Sequence, residues 1–287
     1  MRFTKMHGLG NDYIFIDGLN ERVANPARLA RRMSDRHFGV GGDGLILILP
    51  SKRADLRMRM FNADGSEAEM CGNGIRCLAK YAYEHGLARE RVITVESKAG
   101  VHALENTVIN GKWRKVRVDM GSPGLDRRQI PMRGRAGRVV GEPLAVDGVT
   151  YEITALSMGN PHCVIFVDEV DKFPVAEVGP KIESHRRFPQ RTNTEFVQVL
   201  SRGEVSMRTW ERGAGETLAC GTGASAVCVA GALTGKTERA VNVNLLGGYL
   251  ELEWAEDDHV YMTGPAEEVF TGEWPTGGRR SRRRGDK

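Results

Sequence analysis

Two cysteines stand in matching surroundings. Cys71 lies in GSEAEMCGNGIRCLAKYA and Cys220 in GETLACGTGASAVCVAGA. Each has a glutamate four residues before it, Glu67 or Glu216, and Gly-x-Gly directly after it, ahead of a helix-forming run. A helix start carries first-turn N–H groups without intrahelical partners, and their partial positive field favours anions. The same field is expected to lower a thiol pKa from about 8.5 toward neutrality. Glycine lets a ligand approach those N–H groups, so each motif outlines a cradle for a carboxylate. Brought face to face, the two thiols would flank one cleft. Inversion at a carbon acid needs that symmetry: one group takes the α-proton from one face and the other delivers a proton to the opposite face. The converging amides would stabilise charge developing on the substrate carboxylate.

The two cysteines are 149 residues apart, and a second pair shares the spacing. GNDYIFID places Asn11, and GNPHCVIFVD places Asn160, again 149 apart. Each is a Gly-Asn turn leading into an apolar strand. Two motifs with one offset indicate a duplicated unit, not the short period of a solenoid. The predicted organisation is a first domain over 1–122 and a second over 123–265. A strand within 266–275 returns to the first domain, and a basic, disordered tail covers 276–287. The Gly- and Arg-rich stretch from Gly121 to Gly141 reads as a linker or long loop.

Short apolar or alternating runs such as Leu45 to Leu49, Val205 to Trp210 and Tyr249 to Trp254 predict much antiparallel sheet. Ile75, Leu78, Ala79 and Ala82 recur at helical spacing, with Gly86 as the stop. Ala224 to Leu233 is apolar on nearly every side, which suits a buried helix, and Gly235 ends it. The expected picture is a helix enclosed by curved sheet in each half.

With 40% hydrophobic and 27% charged residues, the 287-residue chain suits a globular protein and excludes collagen-like, mucin-like or wholly disordered classes. No apolar run is long enough for a membrane helix, and the start of the chain does not read as a secretory leader. The five cysteines include no CxxC, so neither a disulfide framework nor structural zinc is expected, and a reducing cytoplasm fits. Cys77, Cys163 and Cys228 lie in apolar runs and read as core. The net charge of +4 comes from the last nine residues, which hold five Arg, one Lys and one Asp; the body is near neutral. Nucleic acid is therefore an unexpected partner for the body. The asparagines Asn11, Asn62, Asn160 and Asn193 each read as turn formers or ligands. Glu211 and Arg212 form a solvated pair if on the surface. In a cleft they would bind an ammonium and a carboxylate together. His162 follows the repeated Gly-Asn turn closely enough to tune a thiol.

The chain resembles the diaminopimelate epimerase family, cofactor-independent amino-acid epimerases of bacterial lysine and peptidoglycan precursor synthesis. The matching segments are HGLGNDYIFID, GGDGLILI, FNADGSEAEMCGNGIRC, SMGNPHCVIFV, RTNTEFV, WERGAGETLACGTGA and GPAEEVF, spread over nearly the whole chain outside the tail. The resemblance implies an α/β (α+β) fold of two pseudo-symmetric domains, each a barrel-like mixed or antiparallel sheet around a central helix. It implies Cys71 and Cys220 as the acid/base thiols, with Gly72, Asn73, Gly221 and Thr222 holding the reacting carboxylate. Asn11, Asn62, Asn160, Asn193, Glu211 and Arg212 would bind the rest of the substrate, and His162 and Glu211 would modulate the thiols. Gly44 stands where some members carry Gln, leaving a backbone contact only. Phe270 stands where a Tyr assists dimerisation in some relatives. The implied activity is interconversion of LL- and meso-2,6-diaminopimelate by a homodimer, without pyridoxal phosphate or metal. Within the enzymes, the alternative is a proline-racemase-like activity. From other classes come a redox or anion-binding module with a regulatory disulfide, and nucleic-acid binding through the tail.

Overall fold

The computed structural model describes residues 1–275. The expected basic tail, 276–287, lies outside them. Ten elements make the first lobe: β1 (Arg2–Gly8), β2 (Asn11–Asp17), α1 (Pro26–Met33), β3 (Gly44–Leu49), β4 (Leu56–Asn62), β5 (Glu67–Ala68), α2 (Gly72–Glu84), β6 (Val92–Ser97), β7 (Gly100–Ile109) and β8 (Lys112–Asp119). After an irregular stretch come β9 (Val139–Val146), β10 (Val149–Ser157), β11 (Pro161–Phe166), α3 (Val175–Glu183), β12 (Asn193–Ser201), β13 (Glu204–Glu211), β14 (Gly215–Thr217), α4 (Gly221–Leu233), β15 (Ala240–Leu245), β16 (Gly248–Trp254), β17 (Val260–Gly264) and β18 (Glu267–Glu273).

The hydrogen-bonded ladder repeats itself. One half runs β18-β1-β2-β3-β4-β6-β7-β8. The other runs β9-β10-β11-β12-β13-β15-β16-β17. They join where β8 meets β17 antiparallel. The parallel pairs fall at matching places, β2 with β3 and β4 with β6, then β11 with β12 and β13 with β15. A parallel pair needs a crossover, and α1 and α3 supply it for β2–β3 and β11–β12. Neither helix was expected from the sequence. α1, PARLARRM, is only 8 residues long, and α3 carries Pro180 inside it, which reads as a breaker.

Each long helix is wrapped by its own sheet. α2 touches β1 and β18 at one end of its ladder and β8 at the other, which requires the sheet to curl; α4 packs on β10, β11, β12, β15, β16 and β17. Ten residues of each helix are buried, Gly72 to Ala82 and Gly221 to Gly231 in range. One cluster unites both helices through Ile75, Leu78, Val227, Val229 and Met262. Smaller clusters lie under α1 (Ile14, Met33, Leu47) and α3 (Cys163, Ile182, Phe196), again at positions 149 apart. Full burial of such a side chain is worth about 1.5–3 kcal/mol. The two cores thus hold the helix starts in register. No helix among the described residues is long and apolar enough to cross a membrane.

Candidate active site

Cys71 and Cys220 are the N-caps of α2 and α4, both with extended backbone. Each sulfur accepts a hydrogen bond from the N–H three residues on, Gly74 at 3.4 Å and Gly223 at 3.3 Å. Close approach calls for glycine at Gly223, where a Cβ would lie 2.8 Å from Glu195 Oε1; at Gly74 a Cβ would lie 2.6 Å from Ile46 Cδ1, the rotatable end of a side chain. The preceding glutamates are structural. Glu67 pairs with Arg59 at 2.7 Å and Glu216 with Arg208 at 2.6 Å, bracing the short hairpins β4–β5 and β13–β14 that lead into the cysteines.

The helix starts meet across the lobes. A Cβ on Gly221 would stand 3.9 Å from Gly72 Cα, and Asn73 Nδ2 donates to Ala219 O at 3.2 Å. Both cysteines open on one cleft of about 1400 Å³, also lined by Asn11, Asn62, Gly72, Asn73, Asn160, Glu211, Gly221 and Thr222. A groove of about 570 Å³ beside the β8–β17 seam is lined by the Lys115–Glu251 and Arg117–Glu253 pairs and by no cysteine.

Five of the expected residues stand elsewhere. His162 is fully buried behind the cleft wall. Asn193 is buried too. Its Nδ2 donates to Pro161 O at 2.9 Å and its Oδ1 accepts from Arg212 N–H at 2.9 Å, so it braces backbone. Arg212 is exposed and donates from Nη1 to Gln190 O. Gly44 pairs with Asn62 across β3–β4, where a Cβ would meet Phe61 O at 2.3 Å. Phe270 lies on β18, edge-to-face with Phe3 at 6.0 Å.

Three site residues escaped the sequence reading. The Tyr13 hydroxyl lies 3.3 Å from Cys71 Sγ. Asp43 accepts from Asn11 Nδ2 at 2.6 Å, which turns Asn11 Oδ1 toward Asn73 Nδ2 at 3.1 Å and Cys71 Sγ at 3.6 Å. Glu195 lies against His162. Tyr13 was findable, since it stands 149 residues before His162.

Burial pushes the Cys71 thiol up, against the Tyr13 hydroxyl, the Gly74 and Asn73 N–H groups and the buried Arg76 guanidinium. Burial also pushes Cys220 well above the ordinary thiol range, helped by the Glu211 and Glu195 carboxylates and opposed by Thr222 and the Gly223 N–H. The expectation of near-neutral thiols is therefore corrected: loss of hydration outweighs the helix-start field. Burial raises Glu211 as well, against the Thr217 hydroxyl that donates to it. Burial holds the Tyr13 phenol far above its ordinary value, so it remains a donor. Among the described residues no cluster of three or more His, Cys, Asp or Glu side chains is placed to hold a metal ion.

Solved structures share this architecture. A Bacillus anthracis phenazine biosynthesis protein of the PhzF family superposes with TM-score 0.71 at 18% identity, over 96% of this chain and 99% of that one. A probable proline racemase from Agrobacterium radiobacter K84 gives 0.69 at 14% identity, over 98% and 94%. The likeness to these two proteins is one of fold. The family pattern described as diaminopimelate epimerase matches residues 3–125 and 154–269. Proteins named diaminopimelate epimerase are 60% identical in Pelotomaculum thermopropionicum, over 96% of this chain and 99% of that one, and 57% identical in Acetivibrio thermocellus, over 95% and 98%. The chain belongs to the diaminopimelate epimerase family.

Proposed function

We propose that the protein interconverts LL- and meso-2,6-diaminopimelate by a two-base mechanism in which one of Cys71 and Cys220 acts as thiolate and the other as thiol. The observation that carries this reading is the pair of N-capping thiols on equivalent helices opening on one cleft. One sulfur removes the α-proton and the other protonates the opposite face. The N–H groups at Gly72, Asn73, Gly221 and Thr222 cradle the reacting carboxylate as negative charge spreads onto it. Asn11, Asn62, Asn160 and Glu211 line the cleft and hold the distal amino-acid end. Asn193 keeps the Glu211–Arg212 turn in place, and Arg212 must release Gln190 to reach a ligand. His162 acts from behind the wall, and Gly44 shapes the cleft only by its backbone.

The reaction belongs to lysine and peptidoglycan precursor synthesis in the cytoplasm, carried out by a homodimer with Phe270 in apolar packing at its interface. The lobes divide near residue 122, with β18 completing the first. Sedimentation at twice the 31.7 kDa chain mass supports the dimer, and a monomer excludes it. The test of the activity is a stereochemical panel. LL-diaminopimelate should epimerise, while L-proline and trans-4-hydroxy-L-proline should not. Cys71→Ala and Cys220→Ala should each lower the rate at least about a thousandfold, within the range of general acid–base catalysis. Turnover of the prolines, or near-normal activity in either variant, overturns the reading.

A further inference from the structure

Behind the Cys220 wall lies an ionisable pair that the chemistry above does not use. His162 and Glu195 have fully buried side chains, with Nδ1 2.8 Å from Glu195 Oε1. Burying a carboxylate costs free energy unless it is paired, and Glu195 Oε2 has no hydrogen-bond partner among the described residues. From this pair a line of contacts reaches the sulfur. His162 Nε2 is 2.9 Å from Asn160 Oδ1, and Asn160 Nδ2 donates to Thr222 Oγ1 at 3.3 Å. Thr222 Oγ1 is 3.5 Å from Cys220 Sγ.

The other lobe shows what the acid is for. The position equivalent to His162 is Tyr13, and the one equivalent to Glu195 is Ile46, each 149 residues earlier. Tyr13 reaches Cys71 Sγ directly with its single hydroxyl. The fold therefore accepts an apolar residue at the Glu195 position. A buried imidazole has two ring nitrogens to satisfy; here each faces an acceptor, Glu195 Oε1 at Nδ1 and Asn160 Oδ1 at Nε2, so both donate, and the carboxylate fixes the ring's orientation and the hydrogen on Nδ1.

We propose that Glu195 is a positioning residue for Cys220, acting through His162 to fix Asn160 and Thr222 against the sulfur. The proposal rests on the two-thiol reading above. Glu195→Gln keeps the shape and removes the charge. It should lower kcat about tenfold to a hundredfold, as expected when a reacting group is misplaced by less than an ångström or so. In a His162→Gln background it should lower kcat no further, because the acid then has nothing to orient. Iodoacetamide labelling followed residue by residue by mass spectrometry should change severalfold at Cys220 and stay constant at Cys71. Normal kcat in the single variant, multiplicative losses in the double variant, or equal changes at both cysteines would overturn the proposal. If Glu195→Gln does not fold, ¹⁵N NMR of the unsubstituted protein decides: a hydrogen on His162 Nδ1 supports it, and a bare Nδ1 overturns it. Epimerisation by the unsubstituted protein, measured alongside, separates this result from failure of the two-thiol reading.

Discussion

The two thiols differ in their neighbours more than in their place. Cys71 meets a phenol and lies near a buried guanidinium, whereas Cys220 lies near two carboxylates. Tyr13→Phe removes a donor from the Cys71 sulfur. A hydrogen bond to a charged group is worth about 1.5–3 kcal/mol, so the thiolate is disfavoured and the Cys71 pKa rises further. In the reaction direction that draws on the Cys71 thiolate, the acid limb of kcat/KM should move to higher pH. The rate near neutrality should fall about tenfold to a hundredfold, as the same bond energy implies. An unchanged profile would show that the hydroxyl does not act on the sulfur. At this scale the sequence was partly legible. The cysteines, their glycines and most cleft-lining asparagines follow from type and spacing. Glu195 does not, because its counterpart is Ile46 and a glutamate in a strand announces no burial. Arg212 and Asn193 were legible as polar side chains, but which backbone they brace is decided by packing between distant strands.

At the scale of elements, the helix starts are set by what they touch. An alanine at Gly74 or Gly223 gains helix propensity of about 1 kcal/mol. At Gly74 the new Cβ meets the end of Ile46, which can rotate; at Gly223 it meets Glu195 Oε1, which is held by His162. Gly223→Ala should therefore cost about 1–3 kcal/mol by overpacking, and Gly74→Ala should be close to neutral. Thermal denaturation checks both, at about 2–4 °C per kcal/mol for a chain of this size. Equal losses would count against the Glu195 contact. A second element-level tie joins β1, β2 and the loop after α1, where Asp12 binds Lys5 at 2.6 Å and Arg36 at 2.7 Å. Burial alone would raise Asp12, but the hydrogen bonds and charges of Arg36 and Lys5 hold it at about 2. A depressed carboxylate stabilises the fold above its unfolded value and loses that effect as pH falls through the folded one. Asp12→Asn should cost about 2 kcal/mol at pH 7, and the difference in Tm should fade between about pH 4 and 2. A difference that persists at pH 2 would assign the effect to something other than charge. Many strands, β3, β13 and β16 among them, and the two central helices were readable from apolar periodicity. The crossover helices α1 and α3 were not: each spans little more than two turns, and Pro180 inside α3 reads as a breaker.

Over the whole molecule, one offset of 149 residues organises crossover helices, central helices, parallel pairs, bracing ion pairs and both thiols. Two motifs sufficed to find it. How the halves meet was not readable, because the β8–β17 join and the helix-start contact are long-range and carry no local pattern. That meeting gives the chemistry its bilateral form. The most direct test is to start LL-diaminopimelate turnover in D₂O and examine substrate and product early by mass spectrometry. Two thiols acting on opposite faces predict deuterium at the inverted α-carbon of the meso product, with recovered LL substrate still unlabelled. Product that keeps its original proton, or label appearing in the substrate as fast as in the product, would contradict a pair of sulfurs straddling one carbon.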